Sequence, residues 1–304
     1  MNYDIIGDIH GHADALKALL QQMGYRDSGG AWRHSDRKAI FVGDFIDRGP
    51  KQVESVEIAR RMVDAGAALA VMGNHEFNAI AWATEDPDRP AHFLRSHDRP
   101  GNRKQHAAFL EEVEGKPIHS ELIAWFKTLP LWIELPGLRV IHACWNDQYQ
   151  KELPGLGPGR TVTEELMVLA SRKGHQAYAA VETLCKGLEV ELPGGCSFPD
   201  KEGKIRKEIR IPWWKKSFGT YREEALVPED VRHLMPDLPM VADDRVKPYV
   251  GPPVFVGHYW RTGTPSLFAP TVACVDYGAG IGGPLVAYRW EGEPVLSDKN
   301  FVST

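Results

Sequence analysis

The chain has 304 residues, of which 43% are apolar and 25% charged, and its formal net charge is −5. That length holds one large domain or two small ones, and the apolar share excludes a chain disordered throughout. The weak negative charge gives no bulk attraction to nucleic acid or to an acidic membrane surface, so any partner must be held by local chemistry. No run of 18 or more apolar residues occurs, so no membrane-spanning helix is expected. The opening MNYDIIGDIHG lacks the basic and apolar regions of a secretory leader. Cys144, Cys185, Cys196 and Cys274 are scattered without a CxxC pair, which disfavours a disulfide framework and a structural zinc site. A reduced, cytoplasmic protein is the expectation, with its oligomeric state left open.

Residues 3–6 read as a short strand ending at Gly7-Asp8, and Leu16, Leu19, Leu20 and Met23 follow at helical spacing. A second apolar run, 39–42, ends at Gly43-Asp44, and a helix is predicted over 52–65 with Val53, Val56, Ile58 and Met62 in it. A third run, 67–72, ends at Gly73-Asn74. Each strand delivers a glycine and then a metal-type ligand before a helix begins. This is βαβ architecture with its chemistry at the carboxyl ends of strands. Residues 87–101, rich in Pro, Arg, His and Asp, read as a polar loop. A short helix is predicted over 120–127 with Ile123 and Phe126 in the core. Two strands at 131–135 and 138–143 then turn at Pro136-Gly137.

The stretch 146–248 differs in character. It carries helical patterns at 163–172 and 176–186, Gly/Pro punctuation over 192–203, and a basic, aromatic segment over 205–222. It reads as a cap or lid inserted within a single domain spanning 1–304. Strand signals return at 253–256, 271–275, 285–290 and 294–296, and no internal repeat or low-complexity tract is present.

Three motifs carry chemistry. In Gly7-Asp8-Ile9-His10-Gly11, residues i and i+2 of an extended strand end share a side, so Asp8 and His10 can grip one ion together. In Gly43-Asp44-Phe45-Ile46-Asp47-Arg48-Gly49, the Asp44 carboxylate has two oxygens and can bridge two cations. Arg48 offers a charged fork to a phosphate oxygen, and Asp47 can orient an imidazole. In Gly73-Asn74-His75-Glu76, Asn74 can give a neutral oxygen ligand and His75 can act as a general acid. Alone, each motif is a common strand-to-helix turn; three of them spaced by one βα unit are not. His142 and His258 each end an apolar run and complete a mixed oxygen and nitrogen donor set without thiolate, suited to manganese, iron or zinc.

The order GDIHG, GDFIDRG, GNHE and two later histidines resembles the calcineurin-like metallophosphoesterases. More narrowly it resembles the phosphoprotein (serine/threonine) phosphatases, with their bacterial branch, and the related symmetrical diadenosine tetraphosphatases. The three N-terminal motifs carry the resemblance over roughly the first quarter of the chain. Val275-Asp276-Tyr277-Gly278 through Gly282-Gly283 extends it more loosely. The resemblance implies an α/β (α+β) fold: a two-sheet β-sandwich flanked by helices, here with an inserted cap. It implies two divalent or trivalent ions, manganese first, with iron or zinc as alternatives. Asp8, His10 and Asp44 would hold one ion; Asp44 as bridge, with Asn74, His142 and His258, would hold the other. Arg48 would bind the phosphate, and His75, oriented by Asp47, would protonate the leaving oxygen. A metal-bridging hydroxide would attack phosphorus in line. The leading substrate is a phosphomonoester, phosphorylated protein side chains included. The alternative is a nucleotide phosphoanhydride such as diadenosine tetraphosphate, or a nucleic-acid end phosphate.

The sequence departs from that pattern in three places. His142 is followed by Ala143-Cys144-Trp145, which implies a bulkier wall beside the site, and the gap from His142 to His258 is long. A second phosphate-binding arginine has no evident counterpart. Trp213-Trp214-Lys215-Lys216 lies in about the right region, but a basic loop with packed tryptophans is the plainer reading.

Overall fold

The computed structural model describes residues 2–199, 203, 205–241, 243 and 245–304. The first half runs β1 (Asn2–Ile6), α1 (Ala13–Gln22), a hairpin of β2 (Arg26–Ser28) and β3 (Ala31–Arg33), β4 (Arg37–Phe41), α2 (Gln52–Asp64), β5 (Ala68–Ala70) and α3 (Asn74–Ala83). Next come α4 (Pro100–Gln105), α5 (Ala107–Val113), α6 (Pro117–Phe126), β6 (Trp132–Leu135) and β7 (Leu138–Ile141). The stretch 146–248 holds α7 (Asp147–Glu152), α8 (Glu164–Ala170), α9 (Gln176–Lys186), the short strands β8 (Glu189–Glu191), β9 (Phe198–Pro199), β10 (Ile205–Arg206) and β11 (Glu208–Arg210), then α10 (Tyr221–Glu224) and α11 (Glu229–Arg232). The chain closes with β12 (Val254–Val256), β13 (Val272–Cys274), β14 (Val286–Trp290) and β15 (Phe301–Ser303).

Two sheets carry the architecture. One has the order β15-β14-β1-β4-β5, with β1, β4 and β5 parallel, β14 antiparallel to β1, and β15 antiparallel to β14. The other has the order β13-β12-β7-β6, with the first three parallel and β6 antiparallel to β7. Side chains alternate between the faces of a strand, and this alternation divides the core. Ile5, Ile40 and Val71 from the first sheet meet Val140, Phe255 and Ala273 from the second between the sheets, with Tyr288 filling the gap. The neighbouring positions Ile6, Phe41 and Met72 point the other way and pack with Leu16, Leu19, Leu20, Val56 and Met62 of α1 and α2. Burial on both faces is why these strands read as short, continuous apolar runs. The fold is the helix-flanked β-sandwich that the motifs imply.

The segment 146–248 shares the outer core. Leu166, Met167, Leu184 and Trp213 belong to the same buried cluster as Phe77 of α3 and Ile141 of β7. α9 packs on α3, and the backbone N–H groups of Ala143 and Cys144 both donate to the Leu184 carbonyl. Residues 200–202, within the punctuated stretch 192–203, lie outside the described residues, as do 204, 242 and 244.

Some elements differ from expectation. Residues 294–296 form no strand: Pro294 lacks an N–H for a ladder, and Leu296 instead plugs the inter-sheet core. The terminal strand is β15, paired with β14. The hairpin of β2 and β3 is largely exposed, so no apolar period announces it. α4 opens at Pro100 inside the expected polar loop, in the first-turn position where proline costs no hydrogen bond. Among the described residues no helix is long and apolar enough to cross a membrane.

Phe255 is fully buried between the sheets and packs against Tyr288 at 5.1 Å between ring centroids. Phe255→Ala should therefore lower unfolding free energy by about 3–5 kcal/mol, read from urea denaturation. A loss under about 1 kcal/mol would mean that the sheets do not close on this residue.

Candidate metal centre

The site lies beyond the carboxyl ends of five strands. The loops after β1 and β4 bring Asp8, His10 and Asp44, the first turn of α3 after β5 brings Asn74 and His75, and the loops after β7 and β12 bring His142 and His258. Asp44 sits in the middle. Its Oδ2 is 3.3 Å from Nε2 of His142 and 3.8 Å from Nε2 of both His10 and His75. Two sets of ligand atoms result, each mutually within 4.8 Å: His10, Asp44 and His75, and Asp44, His142 and His258. Asp44 belongs to both. The Asn74 side-chain oxygen joins the second set, 3.1 Å from Nε2 of His142.

The ring orientations are imposed from behind. Nδ1 of His10 lies 2.8 Å from the Ile46 carbonyl, and Nδ1 of His142 lies 2.7 Å from the Val42 carbonyl. A carbonyl only accepts, so each ring donates from Nδ1 and turns Nε2 toward Asp44. The expected strand-end geometry for Asp8 and His10 is replaced by a turn. β1 stops at Ile6, and His10 takes a left-handed φ of 47°, so backbone bending rather than strand alternation aims its side chain. Asp44, Asp47, Arg48, His258 and Trp260 are also left-handed, with φ of 53°, 70°, 88°, 70° and 46°. Conformations that cost about 1–3 kcal/mol each persist where the surroundings force them, and functional sites are where they gather.

Asp8 stands in neither set. Its Oδ2 accepts the His258 N–H at 3.0 Å, which ties the first sheet to the second. Its Oδ1 is buried without a partner, against Gly257, where a Cβ would fall 2.0 Å from it. Only glycine lets that carboxylate approach.

Electrostatics distinguish the groups. Burial alone would raise Asp44, but His142, His75 and His10 outweigh it and hold the carboxylate well below the usual range. Burial works against a charged His142, yet Asp44 and Asp8 beside it lift its pKa to about 10. His10 is pushed down to about 4 by burial and by His75, and burial with Arg210 drives His258 well below its ordinary value. Burial and the neighbouring Asp276 raise Asp8.

The donor set fits metal ions on an independent observation. Asp8 Oδ1, His10 Nε2 and His258 Nε2 are all buried without a hydrogen-bond partner. Buried polar atoms are rarely left so, and these three belong to residues gathered around a shared carboxylate.

The remaining expected residues fall beside this cluster. Asp47 Oδ2 receives Nδ1 of His75 at 2.5 Å. Arg48 is exposed, and its guanidinium lies over the Trp260 ring, 4.2 Å from the centroid. Glu76, the last residue of the third motif, is a fully buried clamp. Its carboxylate accepts the N–H groups of Gly73, Asp44 and Phe45 at 2.8–3.0 Å, locking two ligand loops together. Gln52 accepts the Asp47 N–H at 2.6 Å, and Asp276 accepts that of Trp260 at 2.7 Å. A glutamate three residues after a glycine is an N-terminal capping pattern, the one signal that could have found Glu76.

The departures also resolve. Trp213 is buried, its Nε1 donating to the Ala143 carbonyl at 3.1 Å, and Trp214 stacks on Phe268 at 4.3 Å. Lys215 pairs with Glu224 at 2.7 Å. This stretch is thus packing. The cationic side chains whose charge bears on His258 are Arg210 of β11 and, less strongly, Lys186 of α9. Trp145 lies beneath Arg139, and burial pushes the Cys144 thiol up, away from nucleophile duty.

With a pKa near 10, His142 carries a proton at neutral pH in the metal-free protein. Its Nδ1 is committed to Val42, so a cation bound through Nε2 must displace that proton. Metal affinity should then rise about tenfold per pH unit below the His142 pKa and level off above it. Zinc titration of metal-free protein in weak buffer should release about one proton for that site at pH 7. Uptake without proton release would overturn this.

A model of the calcineurin-like phosphoesterase family matches residues 1–165. Among curated proteins, the asymmetrical bis(5′-nucleosyl)-tetraphosphatase PrpE of Bacillus subtilis (strain 168) is 34% identical over 136 residues, 43% of this chain and 52% of that protein. The symmetrical bis(5′-nucleosyl)-tetraphosphatase of Aromatoleum aromaticum is 30% identical over 173 residues, 57% of this chain and 53% of that protein. The chain spans about half the length of these curated relatives. Among solved structures, a protein serine/threonine phosphatase from Saccharomyces cerevisiae aligns over 100% of this chain and 79% of its own, at 14% identity and a TM-score of 0.49. With its motif-bearing half matched throughout, the chain belongs to the calcineurin-like phosphoesterase family, a family of phosphoester hydrolases.

Proposed function

We propose that this protein is a dinuclear metal-dependent phosphohydrolase acting on a nucleotide phosphoanhydride of the bis(5′-nucleosyl) tetraphosphate kind. The observation that carries the dinuclear reading is Asp44, common to both sets of ligand atoms. In this reading His75 of the first set is kept free as proton donor, so His10 and Asp44, with Asp8 alongside, serve one ion, and Asp44, Asn74, His142 and His258 serve the other. The oxygen and nitrogen donors suit manganese, iron or zinc. Two cations held there supply the positive charge that draws in a phosphoryl group and acidifies a water for in-line attack.

The chain's own residues do the rest. Arg48 offers its fork to a phosphoryl oxygen, with Trp260 stacked on the guanidinium to keep it facing the site. Arg210 adds positive charge on the His258 side. Asp47 holds Nδ1–H of His75, leaving Nε2 toward Asp44 and ready to give a proton to a leaving oxygen. Asp44 and Asp47 raise His75 above its ordinary pKa despite burial, which favours the protonated donor. The stretch 146–248, packed behind α3 and β7, is the cap of this reading. The unpaired cysteines fit a reducing compartment such as the cytoplasm.

The names of the curated relatives set the anhydride ahead of the phosphomonoester. A specific observation keeps the phosphomonoester reading, phosphoproteins included, in second place. The His75–Asp47 pair supplies a proton that an alkoxide or phenoxide needs and a nucleoside phosphate needs far less.

Metal-stripped protein should regain activity when manganese, zinc or iron(II) is restored. Diadenosine tetraphosphate should then exceed a phosphoserine peptide and p-nitrophenyl phosphate in kcat/KM by at least about tenfold. Preference for either monoester would promote the second reading. Asp44→Ala should lose both metals and all turnover; retained metals with full turnover would sink the dinuclear assignment.

A further inference from the structure

Asp47 has a second imidazole on it. His106 sits at the junction of α4 and α5, 3% exposed, and its Nδ1 lies 2.8 Å from Asp47 Oδ1. His75 holds the other oxygen, Oδ2. One carboxylate is thus pinned between two rings, and its backbone N–H is pinned by Gln52. Trp82 and Phe109 flank the His106 ring at 6.1 and 5.0 Å, and its Nε2 is buried without a partner. Burying a ring nitrogen unsatisfied is costly, so nothing in the local packing favours a histidine here over an apolar residue. The gain lies in the bond to Asp47.

We infer that His106 is a positioning residue for the proton donor, fixing the plane of the Asp47 carboxylate so that Asp47 fixes His75. A carboxylate held through one oxygen can still turn about its Cβ–Cγ bond. A second donor on the other oxygen stops that rotation and stabilises the charge. In keeping with this, burial would raise Asp47, but the hydrogen bonds from His106 and then His75 overcome it and hold the pKa to about 2. Asp47 therefore stays ionised and aimed, and the His75 ring keeps its Nδ1–H on Asp47 and its Nε2 toward Asp44. The sequence offers no cue, because His106 lies 59 residues from Asp47 in a segment without apolar period.

The inference rests on the proposal that His75 donates a proton to the leaving group, and the experiment separates the two. His106→Leu removes the donor at similar volume, while His106→Asn keeps an N–H near the position of Nδ1. In the metal-loaded enzyme, His106→Leu should lower kcat for phenyl phosphate about 10–100-fold, and p-nitrophenyl phosphate much less. KM and metal content should be unchanged, and His106→Asn should restore most of the rate. In an Asp47→Asn background the His106→Leu effect should vanish. Equal losses on both esters, a change in KM alone, or an undiminished effect without Asp47 would overturn the inference.

A readout independent of turnover is the downfield ring N–H proton of His75 in the zinc-loaded protein, assigned by its loss in His75→Ala. It should broaden or disappear in His106→Leu and return in His106→Asn; a signal unmoved by His106→Leu would also overturn the inference. If His75→Ala shows no leaving-group dependence while the resonance still responds to His106, the proton-donor proposal fails and the positioning contact stands.

Discussion

A single carboxylate, that of Asp44, organises everything around it. Its Oδ2 is shared among three imidazoles at 3.3–3.8 Å, and its Oδ1 accepts the His75 N–H at 2.9 Å. That N–H belongs to the first turn of α3, so the positive end of a helix also faces the charge. Burying an isolated ion costs several kcal/mol. Asp44 is 1% exposed, and the three rings, one of them held charged by Asp44 and Asp8, together with the helix terminus offset that cost. Moving this carboxylate by even an ångström would leave both ligand sets without their common member.

Holding it requires backbone that would otherwise relax. Left-handed residues recur at His10, Asp44, Asp47, Arg48, His258 and Trp260. The restraint comes from buried side chains that accept backbone N–H groups from those loops or their immediate neighbours: Glu76 for Gly73, Asp44 and Phe45, Gln52 for Asp47, Asp276 for Trp260 and Gly278, and Asp8 for His258. Three of these anchors are acids. Burial and the nearby Asp44 push Glu76 up to about 7, and burial lifts Asp276 to about 6. Each of these acids is thereby shifted toward its protonated, neutral form in the metal-free protein, and cations bound beside them would favour the ionised form.

The order of strands, helices and ligand motifs is legible in the residues because each obeys a local rule. Fully buried strands read as apolar runs, Leu16, Leu19 and Leu20 fall on one helix face, and glycines mark the strand ends where ligands emerge. Asp8, His10, Asp44, Asn74, His142 and His258 could all be named on that basis, as could the His75–Asp47 pair. Glu76 carries one local cue, its place three residues after Gly73, but its contacts to Asp44 and Phe45 and that of His106 to Asp47 exist only in the tertiary fold. At Trp213-Trp214-Lys215-Lys216 the plainer reading, a basic loop with packed tryptophans, is what the fold shows. The indoles pack inward and Lys215 pairs with Glu224. Arg210, the cation that bears most on His258, lies in a three-residue strand with no motif around it.

The long gap from His142 to His258 follows from topology. β7 and β12 are parallel neighbours, with Arg139 beside Val254 and Val140 beside Phe255. Parallel neighbours cannot be joined by a tight turn; the chain must cross back to the starting edge, which takes a dozen residues or more. The segment 146–248 is that crossover, enlarged. Loop-closure entropy grows only with the logarithm of length, about 0.6 kcal/mol per doubling. Lengthening the crossover therefore leaves the pairing of the two strands almost untouched. The paired strands, together with the Gly257 N–H donating to the His142 carbonyl at 2.8 Å, fix how far apart the two histidines stand. The crossover can therefore be long without disturbing that spacing, and the geometry of the two histidines belongs to the paired strands of the sandwich.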